Sequence, residues 1–95
     1  MKLDDIQHKQ NDRRGIFYYK KEDHTVAELT YSLEDDVMVI DHTEVDTKLE
    51  GKGMGAKMVE KSYAFAKANN YKINPLCPFA EVVFDRNPDW SSVRV

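Results

Sequence analysis

Thiols are nearly absent from this chain of 95 residues: Cys77 is its one cysteine. A lone cysteine forms no internal disulfide and anchors no cysteine-built zinc set, so the sequence reads as a protein of a reducing compartment, the cytoplasm. Long apolar runs are missing as well. No stretch has the length and apolarity to span a bilayer, and the polar segment Met1 to Arg14 holds no apolar core of signal-peptide length, so no membrane association is expected. A basic excess is also lacking. Fourteen Lys and Arg face 17 Asp and Glu, a formal net charge of −3, which argues against a general nucleic-acid binder. There are no repeats and no low-complexity segments. What remains is a chain 41% hydrophobic and 33% charged, suited to one packed domain over residues 1–95.

Three strand-like runs fill the first half: Gly15 to Lys20, Thr25 to Leu33, and Val37 to Val45. Short polar breaks at Lys21 to His24 and at Glu34-Asp35-Asp36 imply antiparallel hairpins. Ile6 to Lys9 adds a short edge strand. The period then changes. From Gly53 to Asn69, Met54, Met58, Val59, Ser62, Tyr63, Phe65 and Ala66 fall on one side of a helical wheel, with Lys57, Glu60, Lys61 and Lys67 on the other. Asn69-Asn70 suits the C-terminal end, because Asn tolerates the left-handed conformation of a cap. Tyr71 to Leu76 reads as a further strand. A second helix runs from Pro78 or Phe79 to Arg86, with Pro in its first turn and Asn87-Pro88 as its stop. The tail from Asp89 either packs Trp90 on the body or frays. The order β-β-β-α-β-α makes an α+β domain: a mixed, mostly antiparallel sheet with a right-handed βαβ unit.

The connection from the third strand to the first helix holds Gly51, Gly53 and Gly55 within five residues. Glycines let the backbone turn sharply and approach a ligand, and a helix N-terminus presents free N–H groups and a positive dipole end to an anion. Lys48, Lys52 and Lys57 stand where they could add charge. The turn alone fits a pyrophosphate cradle or a tight, ligand-free connection. It is not a P-loop, because no Lys-Ser/Thr pair follows, and it is a poor dinucleotide fingerprint, because three meandering strands precede it.

With its preceding strand, this turn resembles the acetyl-CoA signature of the GCN5-related N-acetyltransferases, Gln/Arg-x-x-Gly-x-Gly/Ala after a strand ending in Val-x-Pro. Val45, Gly53 and Gly55 match. Thr47 replaces the Pro and Glu50 the Gln or Arg, so Glu50 is expected to point away from the pyrophosphate. The runs Ile40-Asp41-His42-Thr43-Glu44-Val45 and Pro75-Leu76-Cys77-Pro78-Phe79 are similar to those of short, single-domain members of the superfamily. The resemblance spans about Val26 to Trp90. It implies a minimal version of that fold and an N-acetyltransferase that takes acetyl-CoA as co-substrate and an unidentified amine as acceptor, with no metal. Longer relatives carry N-terminal helices that shape the acceptor site, so an acceptor site that is open or built differently is expected here. The implied cofactor contacts are Thr43, Glu44 and Val45 on the strand, then Gly51, Lys52, Gly53, Met54, Gly55, Ala56 and Lys57, with Cys77 and Phe79 beyond.

Three residues are candidates for the chemistry. His42 and Glu44, two apart on a strand, share a face and could form a base pair, or a solvated polar pair. In longer relatives the second helix carries Asn-x-x-Ala-x-x-x-Tyr, whose Tyr protonates the leaving thiolate. The same register here reads Cys77, Ala80 and Phe84, and Phe84 has no proton to give. Cys77 is left as general acid, as nucleophile, or as a small buried hydrophobe. His8 and His24 read as exposed loop residues. Two other functions remain open at this point: a CoA or acyl-CoA-binding module with little turnover, and a protein-interaction domain.

Overall fold

The computed structural model describes residues 2–95. Five strands form one sheet in sequence order, β1 (Gln7–Gln10), β2 (Arg14–Lys21), β3 (His24–Glu34), β4 (Val37–Val45) and β5 (Lys72–Pro75). The first three pairings are antiparallel and β4–β5 is parallel. Helix α1 (Met54–Ala68) carries the chain from β4 to β5, and α2 (Pro78–Asp85) follows β5. The expected α+β architecture is the observed one.

Each boundary has a local cause. The β2–β3 hairpin closes on Glu22 and Asp23, both with positive φ (52° and 66°), the geometry of a two-residue turn matched to strand twist. Asn70, at φ 60°, ends α1. The Tyr71 N–H reaches the Ala66 carbonyl at 2.8 Å and the Asn70 N–H approaches that of Lys67 at 3.5 Å, a Schellman cap. Pro78 sits in the first turn of α2, where its missing N–H costs nothing. The tail does not fray: Val93 is buried, Arg94 bridges to Ile73, and the indole of Trp90 stacks on Tyr63 with centroids 4.5 Å apart.

The sheet has one covered face. Phe17 of β2, Ala27, Leu29 and Tyr31 of β3, Met38 and Ile40 of β4, and Ile73 of β5 form one buried cluster with Met58, Val59 and Ala66 of α1 and Ala80, Val83 and Phe84 of α2. The alternate residues, Glu28 and Thr30 among them, face the open side, as an antiparallel sheet with a single covered face allows.

A bulge in β4 sets the facing of that strand's second half. Thr30 pairs with His42 while Tyr31 pairs with Ile40, so Asp41 is an extra residue. Past it the alternation reverses. Thr43 and Val45, opposite Leu29 and Ala27, continue the covered face, whereas His42 and Glu44, opposite Thr30 and Glu28, point to the open one. Asp41 is held there by Thr30 Oγ1 (2.7 Å) and Arg14 (3.0 Å). Burial pushes the Asp41 carboxyl up, but these two hydrogen bonds and the Arg14 charge outweigh it and leave it below the ordinary value.

His8 departs from the sequence expectation. It lies on β1 and on the covered face. Its ring stacks on Phe17 at 4.2 Å, meets the edge of Phe65 at 4.5 Å, and its Nε2 lies 2.7 Å from the Tyr31 hydroxyl. A polar segment at the chain's start gave no hint that the aromatic cluster of β2, β3 and α1 would receive it.

Candidate active site

Strands β4 and β5 pair only as far as Ile40 and Pro75. One further bond, from the Cys77 N–H to the Ile40 carbonyl (2.9 Å), closes the contact before the chain leaves for α2. Among the described residues, no strand pairs with that side of Thr43 to Val45. The splay leaves backbone donors and acceptors of β4 open to an extended ligand.

A cavity of about 490 Å³ begins beside this splay. Thr43 and Val45 form its β4 wall, and Leu49, Glu50, Gly51 and Gly53 come from the turn. Met54, Gly55 and Ala56 come from the first turn of α1, and Phe79, Val83 and Arg86 from α2. The first intrahelical bond at this end of α1 is made by the Lys57 N–H, to the Gly53 carbonyl at 3.1 Å. The N–H groups of Met54, Gly55 and Ala56 precede it and have no helical acceptor, the usual state of a helix N-terminus.

Gly51 and Gly53 have φ of 80° and 77°, where an L side chain is strained, and a Cβ at either would meet no atom within 4 Å. Conformation, not crowding, requires glycine there. Gly55 differs: a Cβ would lie 2.7 Å from the Phe79 ring. Its bare Cα lets that ring lie against the turn, with Phe79 43% exposed at the cavity wall.

The structure gathers some of the expected residues and not others. Thr43, Val45, Gly51, Gly53, Met54, Gly55, Ala56 and Phe79 line the cavity. Lys52 and Lys57 do not; the Lys57 ammonium lies 3.7 Å from Glu60 on the outer side of α1. Glu50, next to the 3-10 turn Thr47–Leu49, is exposed and is among the residues at the cavity wall. Arg86, at the end of α2, is the cation on the wall. Its sequence signal is the spacing Phe79, Val83, Arg86, one helical face at i, i+4 and i+7.

Cys77 is buried next to this cavity, its Sγ 3.6 Å from the Thr43 hydroxyl, and Thr43 is part of the wall. It caps α2 through its backbone, and its thiol, which makes no cap bond, donates to the Thr43 hydroxyl instead. His42 and Glu44 form the expected pair, Nε2 to Oε2 at 3.2 Å. Their side chains stand across the sheet from Thr43, on the open face. Phe84, at the place of the longer relatives' Tyr, is buried edge-on against Trp90.

A sheet split between two parallel strands, a glycine turn opening a helix, and a cavity between them define an acyl-transferring α+β domain. Residues 16–93 match the family described as GCN5-related N-acetyl-transferase, and the chain belongs to that family of acetyltransferases. It is similar to a GCN5-like protein from Staphylococcus aureus, itself proposed to be an N-acetyltransferase, whose solution structure is 30% identical, with TM-score 0.71 over 96% of this chain and 89% of that one. Two longer proteins share the fold. The ribosomal-protein-S18-alanine N-acetyltransferase of Escherichia coli is 13% identical, with TM-score 0.67 over 81% of this chain and 53% of its own. An IAA acetyltransferase of Bacillus cereus is 16% identical, with TM-score 0.60 over 78% and 53%. No curated protein sequence matches the chain.

Proposed function

We propose that this chain is an acetyl-CoA-dependent N-acetyltransferase of the short, single-domain kind marked by Pro75-Leu76-Cys77-Pro78-Phe79, acting in the cytoplasm on an amine. The observation that carries this is one convergence: three free helix N–H groups, the glycine turn and the unpaired side of β4 border one cavity. The free N–H groups and Arg86 suit a pyrophosphate. The open side of Thr43, Glu44 and Val45 suits a pantetheine arm through backbone bonds, Glu44 taking part by its main chain alone. The arm then delivers the thioester to the splay, beside Thr43 and Cys77.

The reaction assigned to this geometry is direct attack. The acceptor nitrogen reaches through the splay from the open face and gives its proton to the His42–Glu44 pair. Its lone pair forms a C–N bond with the thioester carbonyl carbon, a backbone N–H of β4 stabilises the oxyanion, and the C–S bond then breaks. The CoA thiolate takes its proton from Cys77, the buried thiol beside Thr43, and the proton held by the His42–Glu44 pair passes to solvent, from which Cys77 is reprotonated.

Calorimetry with acetyl-CoA and a free-thiol assay over a panel of amines test the reading. Binding at micromolar to millimolar ligand with amine-dependent thiol release supports it; no binding at millimolar acetyl-CoA removes it. A second reading, a CoA-binding module with little turnover, is favoured by one observation. Phe84 is packed against Trp90 where the longer relatives place a proton-donating Tyr. Binding without thiol release from any amine would select it.

A further inference from the structure

The open face of the sheet carries a cluster that the acetyl-CoA cavity does not use. Glu28 of β3 is directly opposite Glu44 of β4, and His42 belongs to the next pair along. One ligating atom from each of the three side chains lies within 4.8 Å of the others. Two carboxylates directly opposed on neighbouring strands repel each other, an arrangement that weakens a sheet. Nothing in the fold requires it: Thr30, on the same face of β3, meets its neighbours with a neutral hydroxyl that bonds to Asp41. A cation between the two carboxylates turns the repulsion into attraction.

We propose that Glu28, His42 and Glu44 form a binding site for a divalent transition cation of the zinc class. The donor set decides the class. One imidazole and two carboxylates suit Zn²⁺ and its neighbours, whereas Mg²⁺ and Ca²⁺ take oxygen ligands alone. Three protein ligands leave a fourth, open position for water. Bonds of about 2.0–2.1 Å define a tetrahedron with edges of about 3.4 Å. The His42 Nε2 to Glu44 Oε2 distance of 3.2 Å already spans one such edge. Glu28 is half-buried on a central strand, its carboxylate within 4.8 Å of both other ligand atoms, and rotation about its side-chain torsions completes the other two edges. The Asp41 bulge is what brings these residues together, because without it His42 and Glu44 would face the helices. Binding consumes the His42 lone pair. Insofar as the pair is the base of the acetyl transfer, as proposed for this enzyme, the cation and the acceptor's proton exclude each other, and Zn²⁺ inhibits turnover.

The test reads binding, so it stands apart from activity. Tag-free protein, stripped with a chelator, is titrated with Zn²⁺ by calorimetry and by NMR of the histidine rings, with an acetyl-CoA titration as a check of the fold. One Zn²⁺ per chain is expected, with the His42 ring signals shifted and those of His8 and His24 unmoved. His42→Ala and Glu28→Gln should each weaken binding on the order of tenfold or more. Cys77→Ser should leave it unchanged, and Mg²⁺ and Ca²⁺ should not bind. Glu28→Gln should also raise the Tm of the metal-free protein by relieving the repulsion, and abolish the rise that Zn²⁺ gives the native chain. Zn²⁺ affinity unchanged in His42→Ala, affinity lost in Cys77→Ser, or no binding at millimolar Zn²⁺ overturns the proposal.

Discussion

The thiol of Cys77 meets the hydroxyl of Thr43 at 3.6 Å across the mouth of the splay between β4 and β5. The two residues are 34 apart in sequence, and in the proposed reaction both stand beside the thioester. Cys77→Ala should lower the turnover number for acetyl transfer by about 10²-fold, the low end of what a positioned proton donor contributes. Acetyl-CoA affinity should change by less than about threefold, since the thiol is outside the cavity wall proper. Parallel calorimetry and thiol-release kinetics check both. Wild-type turnover in this variant would leave Cys77 as packing alone.

Phe79 and Gly55 are coupled by contact. In Gly55→Ala the new methyl would stand 2.7 Å from the Phe79 ring, whose far end is free to swing toward the cavity. Acetyl-CoA affinity should fall about tenfold with little loss of Tm, because the ring moves and the backbone does not. Pairing Gly55→Ala with Phe79→Ala should recover affinity relative to Gly55→Ala alone. Strict additivity of the two losses would contradict the steric account.

Gly53 tests conformation without crowding. Ala at φ 77° costs about 1–2 kcal/mol, and no neighbour is struck. For a domain of this size that is a Tm drop of roughly 4–16 °C. Gly53→Asn should lose less than Gly53→Ala, since Asn tolerates the left-handed region, and thermal unfolding of both variants decides it.

His8 makes stability depend on pH. Burial first, and then the charge of Lys61, lower its pKa below the ordinary 6.5. The fold therefore prefers the neutral ring. Its contribution is complete above pH 6.5 and is lost as the pH falls through the lowered folded value. His8→Phe keeps the stack on Phe17 and should flatten the fall in Tm between about pH 7.5 and 5.5. An equal slope in both proteins would assign that fall to other groups. The Tyr31 hydroxyl beside His8 acts at the other extreme. Burial, with Tyr71 adding to it, pushes its pKa up to about 12, so its contribution is lost only as the pH rises beyond 10.

Much of the architecture was legible because it rests on short-range physics. Alternation and polar breaks placed β2, β3 and β4 to within a residue or two. The helical period of Met54 to Ala66 identified α1, and Asn69-Asn70 its cap. The glycine turn was legible for the same reason, since a positive φ at Gly51 and Gly53 is a local demand. His42 and Glu44 were legible as a pair, because residues two apart on a strand share a face.

Their face was not legible. One extra residue, Asp41, reverses the alternation of β4, and a bulge is visible only when β3 is laid alongside to show which residue lacks a partner. Arg86 on the cavity wall and Lys57 off it were settled by how α2 and α1 pack on the sheet, and His8 was drawn in by an aromatic cluster from three separate elements. By itself the sequence determined the elements, their order and the glycine turn, all set by backbone preference and hydrophobic period over a few residues. Only the tertiary structure decided which side chains meet. Cys77 with Thr43, and Glu28 with His42 and Glu44, are juxtapositions made by strand register and by the divergence of β4 from β5, and no window along a single strand contains them.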